Sequence, residues 1–254
     1  MRLDKYLVEK GYFESRNRAL DAIKRGKVFV NGVVAKASIQ CDETSNIDID
    51  QEKFYVSRAA KKLELFLEEY SMNLEGKRAV DVGSSTGGFV QILLENNVAS
   101  VACVDVGSNQ LHESIKADKR IIKKENTDIR DFKSDSIYDI VTCDVSFISI
   151  LNILDDINRL ATDKIIILYK PQFEVGNNVK RNSAGVVQDE KAIQKEKENF
   201  LNYTLNYDWK LLYNEPSQLA GKSGNIEELF YFSKIYRDRY KFCVKSPNVT
   251  KLQL

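Results

Sequence analysis

"AVDVGSSTGGFVQILLENNVASVACVDVG", from Ala79 to Gly107, decides the fold. An apolar run ends in Asp-Val-Gly, small residues follow, and an apolar helical segment leads to a second apolar run that stops at Asp105. Strand, glycine loop, helix and strand, with a carboxylate just past the second strand, outline a nucleotide-cofactor site in a parallel α/β sheet. Outward from it, strands are expected over 78–83, 100–106, 121–125, 138–143, 164–169, 209–214 and 228–235. Seven strands interleaved with helical stretches predict an open, doubly wound, seven-stranded Rossmann-like α/β sheet. The helix that opens it is "SRAAKKLELFLEEY", where Leu63, Phe66, Leu67 and Tyr70 recur at i, i+3, i+4 and i+7.

The loop narrows the cofactor. A P-loop needs GxxxxGK[ST], with its lysine on the phosphates, and "GSSTGGF" has no lysine there. A dinucleotide site needs GxGxxG, so that backbone can approach a pyrophosphate, and an acid about 20 residues further on. Asp105 supplies the acid, placed for a ribose hydroxyl, but the glycines stand at Gly83, Gly87 and Gly88, which is the wrong spacing. A ribose-binding acid without the pyrophosphate pattern suits S-adenosylmethionine, which carries adenine and ribose but no phosphate. A glycine-rich turn with only a folding role is the alternative that the loop alone leaves open.

Composition sets the outer limits. The 254 residues are 43% hydrophobic and 30% charged, ordinary for a soluble globular protein. No run of 18 apolar residues is present, and the opening MRLDKYLVEK lacks the apolar segment of a signal peptide, so a cytoplasmic protein is expected. Cys41, Cys103, Cys143 and Cys243 are scattered without CxxC spacing and read as reduced thiols. His112 is the only histidine, which leaves little room for a His-dependent triad or a multi-His metal site, and no metal is expected. Its own role reads as structural or pocket-lining. Aromatic residues are numerous but sit at core spacing, so none is singled out for base stacking.

The net charge of +1 conceals an asymmetry. Residues 1–40 hold nine Lys and Arg against four acids, a surplus of five that leaves the remainder at about −4. In that stretch Leu3, Tyr6 and Leu7 mark one short helix that stops at Gly11. Ser15 can cap a second, RNRALDAIK, that stops at Gly26. KVFVNGVVAK then alternates around Asn31-Gly32, a hairpin signal. Basic side chains on and near the second helix point to phosphates, and the RNA-binding candidates are Arg2, Lys5, Arg16, Arg18, Lys24, Arg25 and Lys27. With its Arg-Leu-Asp start, its Ser-Arg and its Gly-x-Val-x-Val-Asn-Gly, this stretch resembles the RNA-binding module named after ribosomal protein S4. The expected organisation is that module over 1–50, a linker over 51–56 and the larger domain over 57–254. The basic tail RDRYKFCVKSPNVTKLQL is read as an RNA contact or a solvated end.

Chemistry is expected where strands end. "YDIVTCDVSFISI" places Asp144, and "KIIILYKPQFEVG" places Lys170, at carboxyl edges of strands, where open α/β sheets bind ligands. A lysine after five apolar residues either snorkels to solvent or faces a cleft. Lys62 on the opening helix and Glu227 in "SGNIEELF" complete two amines and two acids. That set suits methylation of a ribose 2′-hydroxyl, a poor nucleophile that must lose its proton as it attacks. A lysine, ordinarily near ~10.4, serves as the base once burial and a second cation lower that value.

The segments "YVSRAAKKLE", "DVGSSTGGF", "VDVGSNQLH", "DVSFIS", "KPQFEVG" and "GNIEELF", in this order, resemble the TlyA family along essentially the whole chain. The resemblance implies an S4-type domain followed by an FtsJ-like class I methyltransferase domain. It further implies 2′-O-methylation of cytidine in 23S ribosomal RNA, and in 16S for longer members, with the RNA or its subunit as partner. The family's Lys-Asp-Lys-Glu set falls on Lys62, Asp144, Lys170 and Glu227, with Glu228 adjacent. The cofactor set expected for S-adenosylmethionine is Asp81, Gly83, Ser84, Ser85, Gly87, Gly88, Phe89, Asp105, Val106, Asp128 and Asp144. Ala59-Ala60 departs from the family's Gly-Gly. Rival expectations are an RNA-binding protein without activity and a cytolysin. A pseudouridine synthase with the same first module would leave the glycine loop without a purpose.

Overall fold

The computed structural model describes residues 1–50, 53–134 and 136–235. The tail 237–254, with Cys243, and part of the expected linker 51–56 lie outside the described residues. Contacts divide the chain into two compact units between Phe54 and Tyr55.

In the first unit, α1 (Leu3–Glu9) and α2 (Arg16–Lys24) turn Leu3, Tyr6, Leu7, Ala19 and Ile23 into one small core. Ser15 Oγ accepts from Arg18 N and begins α2, and Gly26 ends it in the left-handed region. Strands β1 (Val28–Val30) and β2 (Val33–Val34) pair with Val30 opposite Val33, so Asn31-Gly32 is a two-residue turn, and both residues have positive φ. A third strand, β3 (Ile47–Ile49), which the sequence reading did not include, pairs with the free edge of β1. Asp4 on α1 is fully buried, and both Arg2 and Arg16 donate to its carboxylate, the latter at 2.6 Å. These two guanidiniums hold the Asp4 carboxyl down to about 2.

The second unit opens with α3 (Arg58–Glu69), whose Leu63 and Phe66 are buried as the spacing predicts. The elements that follow are β4 (Arg78–Val82), α4 (Gly88–Glu95), β5 (Ser100–Val104), β6 (Ile121–Lys124), β7 (Tyr138–Cys143), α5 (Leu154–Leu160) and β8 (Ala161–Tyr169). The chain closes with α6 (Pro171–Glu174), α7 (Glu190–Thr204), β9 (Trp209–Pro216) and β10 (Glu228–Lys234). All seven expected strands form one sheet in the order β6-β5-β4-β7-β8-β10-β9. Neighbours from β6 to β8 are parallel, and β10 is antiparallel to both β8 and β9.

Helices cover both faces. Ala79, Val101 and Ile140 pack against α4, and Ile166, Leu168 and Leu229 against α3 with Phe89 of α4. On the other face Val80, Val141 and Ile165 meet Leu154 and Ile157 of α5 and Phe200 of α7. The interleaving is less regular than expected: among the described residues, the stretches between β5 and β6 and between β6 and β7 hold only turns. These stretches are polar and offer little more than Leu111, Ile115, Ile129 and Phe132 for burial, too few for an apolar helical stripe. Among the described residues no helix is long and apolar enough to cross a membrane, and Cys41, Cys103 and Cys143 are buried free thiols.

Asp4 predicts how the first unit responds to acid. Its folded value lies below the ordinary ~3.9, so the stabilisation is present above that pH and is lost as pH falls towards 2. Asp4→Ala is expected to lower the stability of this unit at neutral pH by about 2 kcal/mol and to remove that acid sensitivity. Denaturant series followed by NMR signals of residues 3–30 in the full chain read both effects; an unchanged midpoint contradicts the assignment.

Candidate active site

Asp81, Asp105, Asp144 and Lys170 all sit at or just past the carboxyl ends of strands, so one edge of the sheet collects them. Strand β4 runs into a loop that feeds α4 on one face, whereas β7 leads to α5 on the other. A crevice opens between them, the usual ligand position in such sheets. Two adjoining cavities occupy it, of about 500 and 430 Å³. Gly83, Ser85, Asp144, Ser146 and Phe147 line both.

The larger cavity holds the four residues expected to do chemistry. Lys62 and Glu227, both buried, form an ion pair, and Gln172 Nε2 donates to the other Glu227 oxygen at 3.0 Å. Lys170 Nζ lies 2.6 Å from Asp144 Oδ1 and donates to Ser146 Oγ at 3.0 Å. The two side chains, only slightly exposed, form an ion pair. Burial pushes the Asp144 carboxyl up, and the nearby Lys170 opposes this. Two amines and two carboxylates thus meet from α3, β7, β8 and the approach to β10. Glu228, the neighbour of Glu227, faces away and bonds Lys197 of α7 and Asn214 of β9.

Asp81, Ser84, Gly88 and Phe89 line this larger cavity too. Asp81 is buried, accepts a 2.6 Å bond from Thr142 Oγ1, and is pushed up to about 7, mainly by burial. Gly88 serves packing: a Cβ there would run into Ser57 Oγ and approach Ala60 N to 2.9 Å, so α4 could not lie against the start of α3. Gly87 lines neither cavity. Its φ of +87° begins α4, and a Cβ there would strike Ile115. His112 also lines neither; its Nδ1 bonds Ser114 within a turn.

The smaller cavity is lined by Asp105, Val106 and Asp128 together with Asp144. Asp105 accepts from Ser85 N at 2.8 Å and from Gly107 N at 2.7 Å, which ties the glycine loop to the end of β5. Arg130 grips Asp128 and holds its carboxyl at about 2. Val106 is 71% exposed, an apolar side chain with a free face beside these acids. Among the described residues none that lines this cavity is Lys or Arg. Asp128 is paired from behind by Arg130 and Asp144 by Lys170, so the wall presents carboxylate oxygens and no basic side chain to grip a pyrophosphate, which suits a cofactor with hydroxyl and amine donors. The residues therefore fit S-adenosylmethionine.

Sequence reasoning missed Phe147. It is 91% exposed, has φ +67°, and its ring lies 5.2 Å from that of Phe173 at the mouth shared by both cavities. Of the seven RNA-binding candidates in the first unit, Arg2 and Arg16 bond Asp4, Arg18 pairs with Glu14, Arg25 with Asp21 and Lys27 with Asp50. Lys5 and Lys24 are exposed.

Known proteins share both units. The family described as FtsJ-like methyltransferase matches residues 55–234, and the S4 domain family matches residues 1–47. A protein of Campylobacter jejuni named 23S rRNA (cytidine-2′-O)-methyltransferase TlyA is 43% identical, over 92% of this chain and all of its own length. A protein of Mycobacterium tuberculosis named 16S/23S rRNA (cytidine-2′-O)-methyltransferase TlyA is 34% identical, over 94% of this chain and 91% of its own. A solved structure from Streptococcus thermophilus matches with a TM-score of 0.67 at 31% identity, covering 92% of this chain and 88% of that one.

Asp81 supplies a test of the site's electrostatics without any ligand. Its folded value is raised, so the ligand-free protein should lose stability as pH rises from the ordinary ~3.9 to about 7. Asp81→Asn, which keeps the shape and removes the charge, is expected to abolish up to about one proton's worth of that slope. Denaturant midpoints measured across this range decide it, and parallel slopes for the two proteins would count against a buried, uncompensated Asp81.

Proposed function

The chain belongs to the FtsJ-like methyltransferase family and, within it, to the TlyA group, and on that premise we propose that it methylates the ribose 2′-hydroxyl of a cytidine in 23S ribosomal RNA. One observation carries the reading: two lysine–carboxylate pairs converge in a cavity that shares a wall with an acidic, cation-free cofactor cavity. The methyl donor is S-adenosylmethionine. When bound, it supplies an electrophilic methyl group on a sulfonium sulfur. Asp105 and Asp128 would hold the cofactor's hydroxyl and amine groups, and Val106 would pack against its adenine. Acting on ribosomal RNA, the enzyme works in the cytoplasm.

Lys170 is the base. Its ammonium, ion-paired with Asp144 at 2.6 Å, first gives a proton to solvent; as the substrate oxygen takes the methyl, the hydroxyl proton passes to the neutral Nζ, and Asp144 stabilises the ammonium that re-forms. Ser146 Oγ fixes the same nitrogen from a second direction, which keeps it from swinging away. Lys62 and Glu227 close the cavity floor as a compensated pair, and Gln172 orients the carboxylate. Phe147 offers an exposed ring to the target base, because a ribose can reach the floor only if its base leaves the helical stack. The S4-type unit supplies RNA affinity through its basic surface.

Tritiated methyl transfer to large and small ribosomal subunits from a strain lacking the gene, with mapping of the modified nucleotide, tests the reaction and whether 16S RNA is also a substrate. Lys170→Ala is expected to cut turnover about 100- to 10,000-fold while calorimetry finds S-adenosylmethionine bound within a few-fold of wild type. A near wild-type rate in that variant removes Lys170 as the base. No transfer by the wild-type protein removes the reaction.

A further inference from the structure

The cavity floor is electrically compensated, with Lys62 on Glu227 and Lys170 on Asp144, but the rim is not. Arg58, Arg181 and Lys222 line the same cavity. Most arginines of the described residues lie within ion-pair distance of a carboxylate, as Arg120 does with Asp118 and Arg130 with Asp128. Arg58 and Arg181 instead donate only to backbone carbonyls. Arg181 Nη2 reaches Gln172 O at 3.0 Å and Gly176 O at 2.9 Å, and Arg58 Nη1 reaches Ala220 O at 3.4 Å. Neutral acceptors fix a guanidinium in place without cancelling its charge, and a planar fork so held is suited to phosphate oxygens.

The two loops that carry Arg181 and Lys222 are locked together. Asn225 is buried; its Oδ1 accepts from Val187 N at 3.0 Å, and its Nδ2 donates to Gly185 O at 3.4 Å. Arg181 and Val187 form a β-bridge, and Gly221 N donates to Asn225 O at 2.7 Å. The backbones of both loops are therefore braced against each other, and Arg181 is held by Gln172 O and Gly176 O, with Lys222 exposed on the neighbouring loop.

We propose that Arg58, Arg181 and Lys222 form a phosphate clamp on the catalytic unit, which grips the phosphodiesters flanking the target ribose. This rests on the RNA methyltransferase reading and adds to it a second polyanion site, separate from the basic surface of the S4-type unit. The clamp aligns the 2′-hydroxyl with Lys170, because the phosphates on either side fix the ribose between them.

The test is equilibrium binding of the full chain to large ribosomal subunits that lack the modification, across a series of salt concentrations. Each lost phosphate contact lowers the slope of log affinity against log salt by about 0.7 to 0.9. Lys222→Ala and Arg181→Gln should each show that loss and a several-fold higher Kd at fixed salt. Calorimetric affinity for S-adenosylmethionine should stay unchanged, which shows the cavity intact. Arg78→Ala is the control: Arg78 is exposed and unpaired, but it begins β4 at the opposite edge of the sheet. Wild-type slopes in both rim variants, or an equal loss in the Arg78 variant, would overturn the clamp. If wild-type protein neither binds nor methylates subunits, the methyltransferase reading itself fails, and that result is distinct from unaltered slopes in an active enzyme.

Discussion

The ends of β4 and β7 approach too closely to admit a side chain at Gly83, and both cavities depend on that contact. A Cβ there would stand 3.0 Å from the Asp144 carbonyl oxygen and 3.1 Å from its carbon. The backbone turns at the same point with φ +81°, which L side chains rarely adopt. Asp144 N donates to Val82 O, so the ends of β4 and β7 remain hydrogen-bonded as they part, while Gly83 N donates to Val104 O of β5. One then turns to α4 and the other towards α5. Asp144 reaches both cavities because it stands where they part.

The charges in the crevice are not there for stability. Replacing a buried ion pair by well-packed apolar residues is often neutral or stabilising, so Lys62 with Glu227 gains the fold little. Asp81 is costlier, since one hydroxyl from Thr142 does not offset its burial. Such groups persist where chemistry needs them. Their distribution is also sorted: carboxylates and no Lys or Arg line the cofactor side, paired lysines line the floor, and cations without carboxylate partners line the rim. A positively charged donor, a neutral hydroxyl and a polyanionic chain each meet a complementary surface.

The strands were legible because each is an apolar run with turn residues at its ends, and α3 because its apolar residues keep a helical period. Asp144 and Lys170 were legible as polar residues ending such runs. Lys62 and Glu227 were only candidates beside them until the family's Lys-Asp-Lys-Glu set fell on the same positions, since nothing local marks a helix lysine and a loop acid 165 residues apart as partners. β3 escaped notice because Ile47-Asp48-Ile49 is three residues in polar surroundings, a strand only because β1 has a free edge. At Gly87 the sequence leaves two reasons for a glycine open, because an absent Cβ has the same signature whether a ligand or a neighbouring side chain such as Ile115 comes close. Phe147 lies within "DVSFISI", where its spacing resembles that of core residues, and only the left-handed backbone turns it outwards.

The place of β10 governs when the four-residue cluster is completed as the chain folds. Glu227 precedes the last described strand, and β10 enters between β8 and β9 rather than at an edge. A nascent chain that has already formed β4 to β8 holds Lys62, Asp144 and Lys170, but its fourth residue and the loop bearing Lys222 arrive only with that insertion. The cluster of four is therefore complete only once β10 has taken its place between β8 and β9.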